Sequence, residues 1–201
     1  MTKRIIIGIC GASGSIYGIR LLKALARHSV EIFLTVSTAG RFVIREELDY
    51  EGDLVAGLVH SHSGPSTEAA SIYEYSPEDL SAPFSSGSFQ HDGMVIAPCS
   101  MNTLSAVSSG LTGNLMHRAA DVSLKEKRPL ILVVRESPLN RIHLFNMGRA
   151  AEAGATIMPA CPSFYSRPQT VDEAVDTVVA RILDHLGVAD NRFPRWMGSR
   201  G

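Results

Sequence analysis

The run Arg4-Ile5-Ile6-Ile7-Gly8-Ile9-Cys10 places apolar side chains on consecutive positions. Successive side chains of a strand point to opposite faces, so a strand built from this run is buried on both. A sheet covered on both faces needs helices on both, and parallel strands joined by helical crossovers supply them. The rest of the chain follows that demand. Residues 30–37 (VEIFLTVS), 70–76 (ASIYEYS), 93–100 (GMVIAPCS), 129–137 (PLILVVRES) and 155–160 (ATIMPA) read as further strands. Between them, Ile16, Ile19, Leu22 and Leu25 fall at helical spacing from Ser13 to His28, and 38–48 reads as a second helix. Helical stretches flank Gly110 and Gly113, and another stops near Gly154. Thr170 and Glu173 form a capping box opening a last helix, with Val171, Val175, Val178, Ile182 and Leu186 on one face. The expected fold is α/β: one domain built on a doubly wound parallel sheet.

Residues 49–92 are the least regular part, with Ser-, Gly-, Pro- and His-rich stretches that read as surface loops or as cover for a site. His60 and His62 form an HxH without carboxylates at ligand spacing, so no metal site is assigned. Composition removes several function classes. With 45% hydrophobic and 19% charged residues and a formal net charge of −1, the chain has no general attraction for nucleic acid or anionic membranes. It has no apolar run long enough to span a bilayer. Cys10, Cys99 and Cys161 are odd in number and far apart, which points to a reducing cytoplasm rather than a disulfide framework.

The first strand turns into the first helix through Gly8-x-x-Gly11-x-x-Gly14. The loop lacks both the GxGxxG of a dinucleotide site and the Gly-Lys-Ser/Thr of a P-loop. Nor does the second strand end in an acid that would hold a ribose diol; it ends at Ser37, which can donate to a phosphate. A smaller phosphate-bearing ligand held by backbone N–H groups, Ser13 and Ser37 is one reading. A tight turn that uses glycine only for packing is the other, and the loop alone does not separate them. The segment APCSMNTLSAV again runs from a buried strand into a helix, with Ser100, Asn102 and Thr103 at the helix start. Two such loops on the carboxyl edge of one sheet suit a mononucleotide. Cys10 and Cys99 beside them read as small buried side chains more than as nucleophiles, since no histidine neighbours either. Arg118, Lys125 and Arg181 taken singly are solvated helix charges, although Arg181 directly precedes Ile182 and Leu183, which sets it near the buried face. Arg135-Glu136 at the end of LILVV points to a ligand or partner at the carboxyl edge.

The segments GASGSIYGIRLL, APCSMNTLSAVSSG, RAADVSLKEKRPLILVVRE, HLFNM and GATIMPACPSFYSRPQTVDEAVDTVVARILDHLGV together resemble the UbiX flavin prenyltransferases over nearly the whole chain. The resemblance implies a flavodoxin-like, Rossmann-like fold with a flavoprotein core over 1–188 and a tail over 189–201. Phe193 and Trp196 in that tail are expected to dock on a neighbouring subunit of a homo-oligomer, a dodecamer in the family. It implies that a dimethylallyl group passes from dimethylallyl monophosphate to N5 and C6 of reduced FMN, giving prenylated FMN for UbiD-type decarboxylases. By position, Gly11, Ala12 and Ser13 fall on the first FMN loop, Ser37 on the second contact, and Ser100, Met101, Asn102 and Thr103 on the third. Arg135 matches the flavin-contacting arginine and Glu136 the acid near the reacting carbon. Glu47, Arg118, Lys125, Tyr165 and Arg181 match the groups around the prenyl phosphate, in sites built where subunits meet. Glu136, Ser13, Lys125, Arg118 and Glu47 are the candidate catalytic groups. Val134 stands where many members have proline, and Asn102 where glycine or lysine is common.

The chemistry agrees with these residue types. Ionising an allylic monophosphate needs the departing phosphate to be stabilised, and the chain has no DDxxD for magnesium. A ring of Arg118, Lys125, Arg181 and the Tyr165 hydroxyl would serve instead, without metal. Two rivals share the site types. A peptidyl-cysteine decarboxylase would carry a PASANT-like loop and an early histidine, where this chain has PCSMNT. A flavin carrier would not need three cations around a second phosphate.

Overall fold

The computed structural model describes residues 2–50, 52–59, 70–191 and 198. His60 and His62, and the aromatic pair Phe193 and Trp196 of the tail, lie outside the described residues. Six strands form one parallel sheet: β1 (Lys3–Ile9), β2 (Val30–Val36), β3 (Ser71–Tyr75), β4 (Gly93–Cys99), β5 (Leu130–Val134) and β6 (Thr156–Pro159). Their order is β3-β2-β1-β4-β5-β6, the doubly wound order in which the chain leaves β1 to one side and returns at β4 on the other. Among the described residues five α-helices lie between strands, α1 (Ser15–Leu25), α2 (Thr38–Leu48), α3 (Met101–Ser108), α4 (Leu115–Lys125) and α5 (Arg141–Glu152), and a sixth, α6 (Val171–His185), follows β6.

The consecutive apolar run does what its pattern requires. Ile5, Ile7 and Ile9 point into a core shared with α1 and α6, while Ile6 points into a second core shared with α3 and α4. All four isoleucines are fully buried. The same alternation divides β5, with Ile131 and Val133 on the α1/α6 side and Leu130, Leu132 and Val134 on the other. The two cores decide on which side of the sheet each functional residue falls.

Three expectations shift. The last helix keeps Thr170 as its N-cap, accepting from Glu173 N–H at 3.1 Å, but the Glu173 carboxylate turns back to Gln169 N–H at 2.6 Å instead of closing the box on Thr170. Val171, expected on the apolar face, is 73% exposed, because the helix reaches the core only from Val175 onward. Arg181, expected near the buried face, has an exposed side chain paired with Asp184 at 3.1 Å. A helix turns about 100° per residue, so the residue before buried Ile182 can face solvent.

Candidate functional site

The glycine loop is shaped by packing as well as by any ligand. A Cβ on Gly11 would stand 2.4 Å from the Ala39 Cβ, so only glycine lets this loop lie on the first turn of α2. Gly14 has φ +97° and is the N-cap of α1, a left-handed position that favours glycine. Having no side chain, it leaves the helix head uncapped from within. Glu47, at the far end of α2, supplies the cap. Its carboxylate accepts Gly14 N–H at 2.9 and 3.0 Å, Ser15 N–H at 2.8 Å and the Ser15 hydroxyl at 2.8 Å. Burial works against this carboxylate. The Ser13 and Ser15 hydroxyls and the two N–H groups outweigh it and hold Glu47 below the usual carboxylate range. Of the backbone N–H groups at this loop, those of Gly14 and Ser15 are therefore already taken by Glu47. Anion-binding capacity moves to the two neighbouring helix heads.

Ser37 is the N-cap of α2, with its hydroxyl oxygen accepting Gly40 N–H at 3.0 Å and its N–H anchored on the Ile9 carbonyl at 3.0 Å. That geometry leaves the Ser37 hydroxyl hydrogen to donate. Ser100 is the N-cap of α3: its oxygen accepts Thr103 N–H at 3.3 Å and its hydroxyl donates to Thr103 Oγ1 at 3.2 Å. Met101 is half-buried, Asn102 exposed and Thr103 buried beneath them. Arg135 follows β5, with its N–H on the Cys99 carbonyl at 3.3 Å, and its side chain lies 3.8 Å from where a Gly14 Cβ would stand. Glu136 is exposed, its carboxylate accepting the N–H of Ser137 at 3.0 Å. One chain thus gathers Gly11, Ala12, Ser13, Ser37, Glu47, Ser100–Thr103 and Arg135 on the carboxyl edge around the β1/β4 switch point. Two hydroxyl-capped helix heads and a guanidinium suit the phosphate monoester and polar ring edge of FMN.

The cations are not gathered with them. Arg118 lies in the first turn of α4, donating to the Ser85 carbonyl at 3.0 Å and pairing with Asp121 at 3.1 Å. Lys125 is seven residues on, about 10 Å along the same helix face, paired with Glu126 at 2.5 Å. Ser85 and Gly87, inside the irregular 49–92 stretch, lie along this cationic face; a Cβ on Gly87 would stand 2.6 Å from Lys125 Nζ. Tyr165 and Arg181 are on the opposite side of the sheet. They line an open groove of about 1220 Å³ between α1, α6 and the loop after β6. Arg20 crosses that groove and is clamped by Asp172 and Asp176 at 2.5 Å each. Within one chain the two halves of the expected ring are separated by the sheet itself.

Two contacts were not anticipated from sequence. Glu47 as the cap of α1 joins residues more than thirty positions apart, which spacing does not reveal. Cys10 accepts the N–H of Ser100 at 3.0 Å, and its place at the end of an apolar strand was its only signal.

Comparison with known proteins places this arrangement. Residues 1–183 match the flavoprotein family. The flavin prenyltransferase UbiX of Halalkalibacterium halodurans is 44% identical over 190 residues, covering 94% of this chain and 91% of that one. A crystal structure of AnUbiX (PadA1) in complex with FMN and dimethylallyl pyrophosphate superposes with a TM-score of 0.89 at 40% identity, covering 100% of both chains. A dodecameric FMN-dependent Ubix-like decarboxylase from Escherichia coli O157:H7 gives a TM-score of 0.86 at 41% identity, over 97% of this chain and 100% of the other. The similarity runs through the loops of the carboxyl edge and through the helices that carry the separated cations. The chain belongs to the flavoprotein family and, within it, to the UbiX flavin prenyltransferases.

Proposed function

We propose that the protein transfers a dimethylallyl group from dimethylallyl monophosphate to N5 and C6 of reduced FMN, in sites completed by neighbouring copies of the chain. The observation that carries this reading is the division of the site. The residues proposed to hold the flavin gather on one edge of a single chain, whereas Arg118 and Lys125 stand on one side of the sheet and Tyr165 and Arg181 on the other. A homo-oligomer, a dodecamer as in the Ubix-like structure, would bring Tyr165 and Arg181 of one subunit to Arg118 and Lys125 of another.

Reduced FMN, when bound, supplies the nucleophilic N5 and C6 atoms. The protein does the rest. Ser37 and Thr103 would hold the FMN phosphate at the heads of α2 and α3, and Arg135, reaching over Gly14, would contact the ring. Ser13 and Glu47 would fix the opposite wall. As the allylic C–O bond breaks, charge grows on the leaving phosphate, and fixed guanidinium, ammonium and phenol donors stabilise it more than they stabilise the substrate. Glu136 would assist removal of the C6 proton as the single carbon–carbon bond, that to C6, forms after the bond to N5. The product would go to a UbiD-type decarboxylase. No described helix is long and apolar enough to cross a membrane, and the three cysteines are unpaired, in keeping with a cytoplasmic site of action.

Anaerobic incubation with reduced FMN and dimethylallyl monophosphate tests the reading. Flavin extracted afterwards should gain one five-carbon unit in mass, with release of inorganic phosphate. Recovery of unaltered FMN would reject it.

A further inference from the structure

Residues 85–89 (Ser-Ser-Gly-Ser-Phe) run beside α4, and every second carbonyl of this segment meets an arginine of that flank. The Ser85 carbonyl accepts Arg118 Nε at 3.0 Å. The Gly87 carbonyl accepts Arg128 Nη2 at 2.8 Å, and the Phe89 carbonyl accepts Arg128 Nη1 at 2.5 Å. Arg128 lies just beyond the end of α4, half-buried, with its own N–H on the Ser123 carbonyl at 2.8 Å. Aromatic rings hold the segment from the other side. Phe84 is fully buried and stands edge-on to Tyr75 with centroids 5.2 Å apart, and Phe89 stands edge-on to Phe33 at 4.8 Å. The segment is thus a strap, pinned to the core by its rings and to α4 by its carbonyls.

We propose that Arg128 is a positioning residue for prenyl transfer: by tying the Gly87 and Phe89 carbonyls it fixes the strap on which Arg118 is seated. The proposal rests on the function assigned above, in which Arg118 meets the leaving phosphate. A planar guanidinium carries its donors in a fixed fork and can serve two carbonyls at once, which a lysine ammonium on its flexible stem matches poorly. Arg118 has a side-chain exposure of 38%, so its direction depends on the few groups that hold it, the Ser85 carbonyl and Asp121. Without Arg128 the strap would be left to its rings and to local turn bonds, such as Ser85 N–H to the Ala82 carbonyl at 3.0 Å and Phe89 N–H to the Ser86 carbonyl at 3.2 Å. The Ser85 carbonyl would then wander, and Arg118 with it. A fixed cation stabilises charge that develops on a departing phosphate better than one that must first be oriented. The cost therefore falls on turnover and not on FMN, because the strap is no part of the carboxyl edge where the flavin-binding residues gather.

Arg128→Ala and Arg128→Lys, each alone and combined with Arg118→Ala, are made in the full-length protein. Prenyl-FMN formation from reduced FMN and dimethylallyl monophosphate is followed alongside FMN affinity and amide hydrogen exchange over residues 84–90. Arg128→Ala should lower kcat about 10–10²-fold while FMN affinity stays within about twofold of wild type. Arg128→Lys, which keeps the charge and reaches one carbonyl of the two, should fall between Arg128→Ala and wild type. In the Arg118→Ala background the loss of Arg128 should cost no more than about threefold, since a residue that acts through Arg118 then has nothing left to orient. Exchange over 84–90 should quicken about tenfold in Arg128→Ala. If Arg128→Ala does not fold, the same cycle and the same exchange are read from Arg128→Lys, with smaller effects of the same sign. If wild-type protein makes no prenyl-FMN, the function assigned above fails, while exchange still judges whether Arg128 holds the strap. Wild-type turnover without Arg128, costs that simply multiply with those of Arg118→Ala, unchanged exchange over 84–90, or a loss of FMN affinity equal to the loss of turnover would overturn the proposal.

Discussion

The carboxyl edge and the two helix flanks of this molecule carry equally suggestive residues, yet they are finished to different degrees. At the edge each group has a position fixed by its own chain: Glu47 caps α1, Ser37 caps α2, Ser100 caps α3, and Gly11 packs on Ala39. On the flanks Arg118, Lys125 and Arg181 pair with acids on their own helices, at side-chain exposures of 38%, 47% and 62%. Exposed pairs of this kind add little to stability. Residues that stabilise their own fold so weakly are available to a neighbour. On the proposed reading, the flavin site would be preformed in one subunit and the phosphate-leaving site completed by a neighbouring copy.

Breaking the flank half has the largest expected effect. Arg118→Ala, Lys125→Ala or Arg181→Ala should each lower turnover about 10²–10³-fold while the FMN affinity of the free protein holds. An equal loss of FMN binding would place these cations at the flavin phosphate instead. Glu136→Gln should likewise bind FMN but slow formation of the cyclised product, followed by its absorption spectrum.

The α4 flank also has an acid-sensitive support. His91 is buried beneath α4, with Nε2 3.4 Å from the Ser123 hydroxyl and Nδ1 without a partner. Burial and the Arg128 charge lower its pKa from 6.5 to about 4, against smaller opposing effects of the Gly93 backbone and Asp92. Between those values the unfolded chain binds the proton and the folded one does not. The stability involved is present above pH 6.5 and is lost as pH falls toward 4. The shift corresponds to roughly 3 kcal/mol. Urea midpoints measured from pH 7.5 to 4.5 should fall less steeply in His91→Gln than in wild type, and parallel curves would contradict the assignment.

The edge half is probed by two smaller changes. Gly11→Ala forces a methyl against Ala39 and should cost about 1–3 kcal/mol in denaturant unfolding, with FMN affinity falling alongside. A neutral outcome would show that the loop has room to move. Ser37→Ala should cost about 1 kcal/mol through the lost cap. Ser37→Asp keeps a good cap while setting a like charge against phosphate, so it should leave stability near wild type and weaken FMN strongly in a titration.

Much of this was legible before any coordinates. Consecutive isoleucines required a sheet buried on both faces, and β1 with its two flanking cores answers that requirement. Ser37 and Ser100 were legible because a hydroxyl between an apolar strand and a helix has one common use, the N-cap. Glu47 was placed by resemblance but not explained, since its contact with Gly14 and Ser15 is tertiary. Arg181 was misplaced because sequence neighbours do not report helix azimuth. Nothing in the spacing of Arg118, Lys125, Tyr165 and Arg181 states which side of the sheet each helix takes; the doubly wound crossover decides it.

The central claim is that one site draws its cations from different copies of the chain. It is tested most directly by mixing two inactive variants, Arg118→Ala and Arg181→Ala, dissociating them and reassembling them together. Sites that take Arg118 from an Arg181→Ala subunit and Arg181 from an Arg118→Ala subunit would be intact. The mixture should therefore recover a substantial fraction of wild-type prenyl-FMN formation, while each variant reassembled alone stays inactive. If every site used both arginines from a single chain, no mixed site would be whole, and a mixed assembly as inactive as its parents would contradict the account.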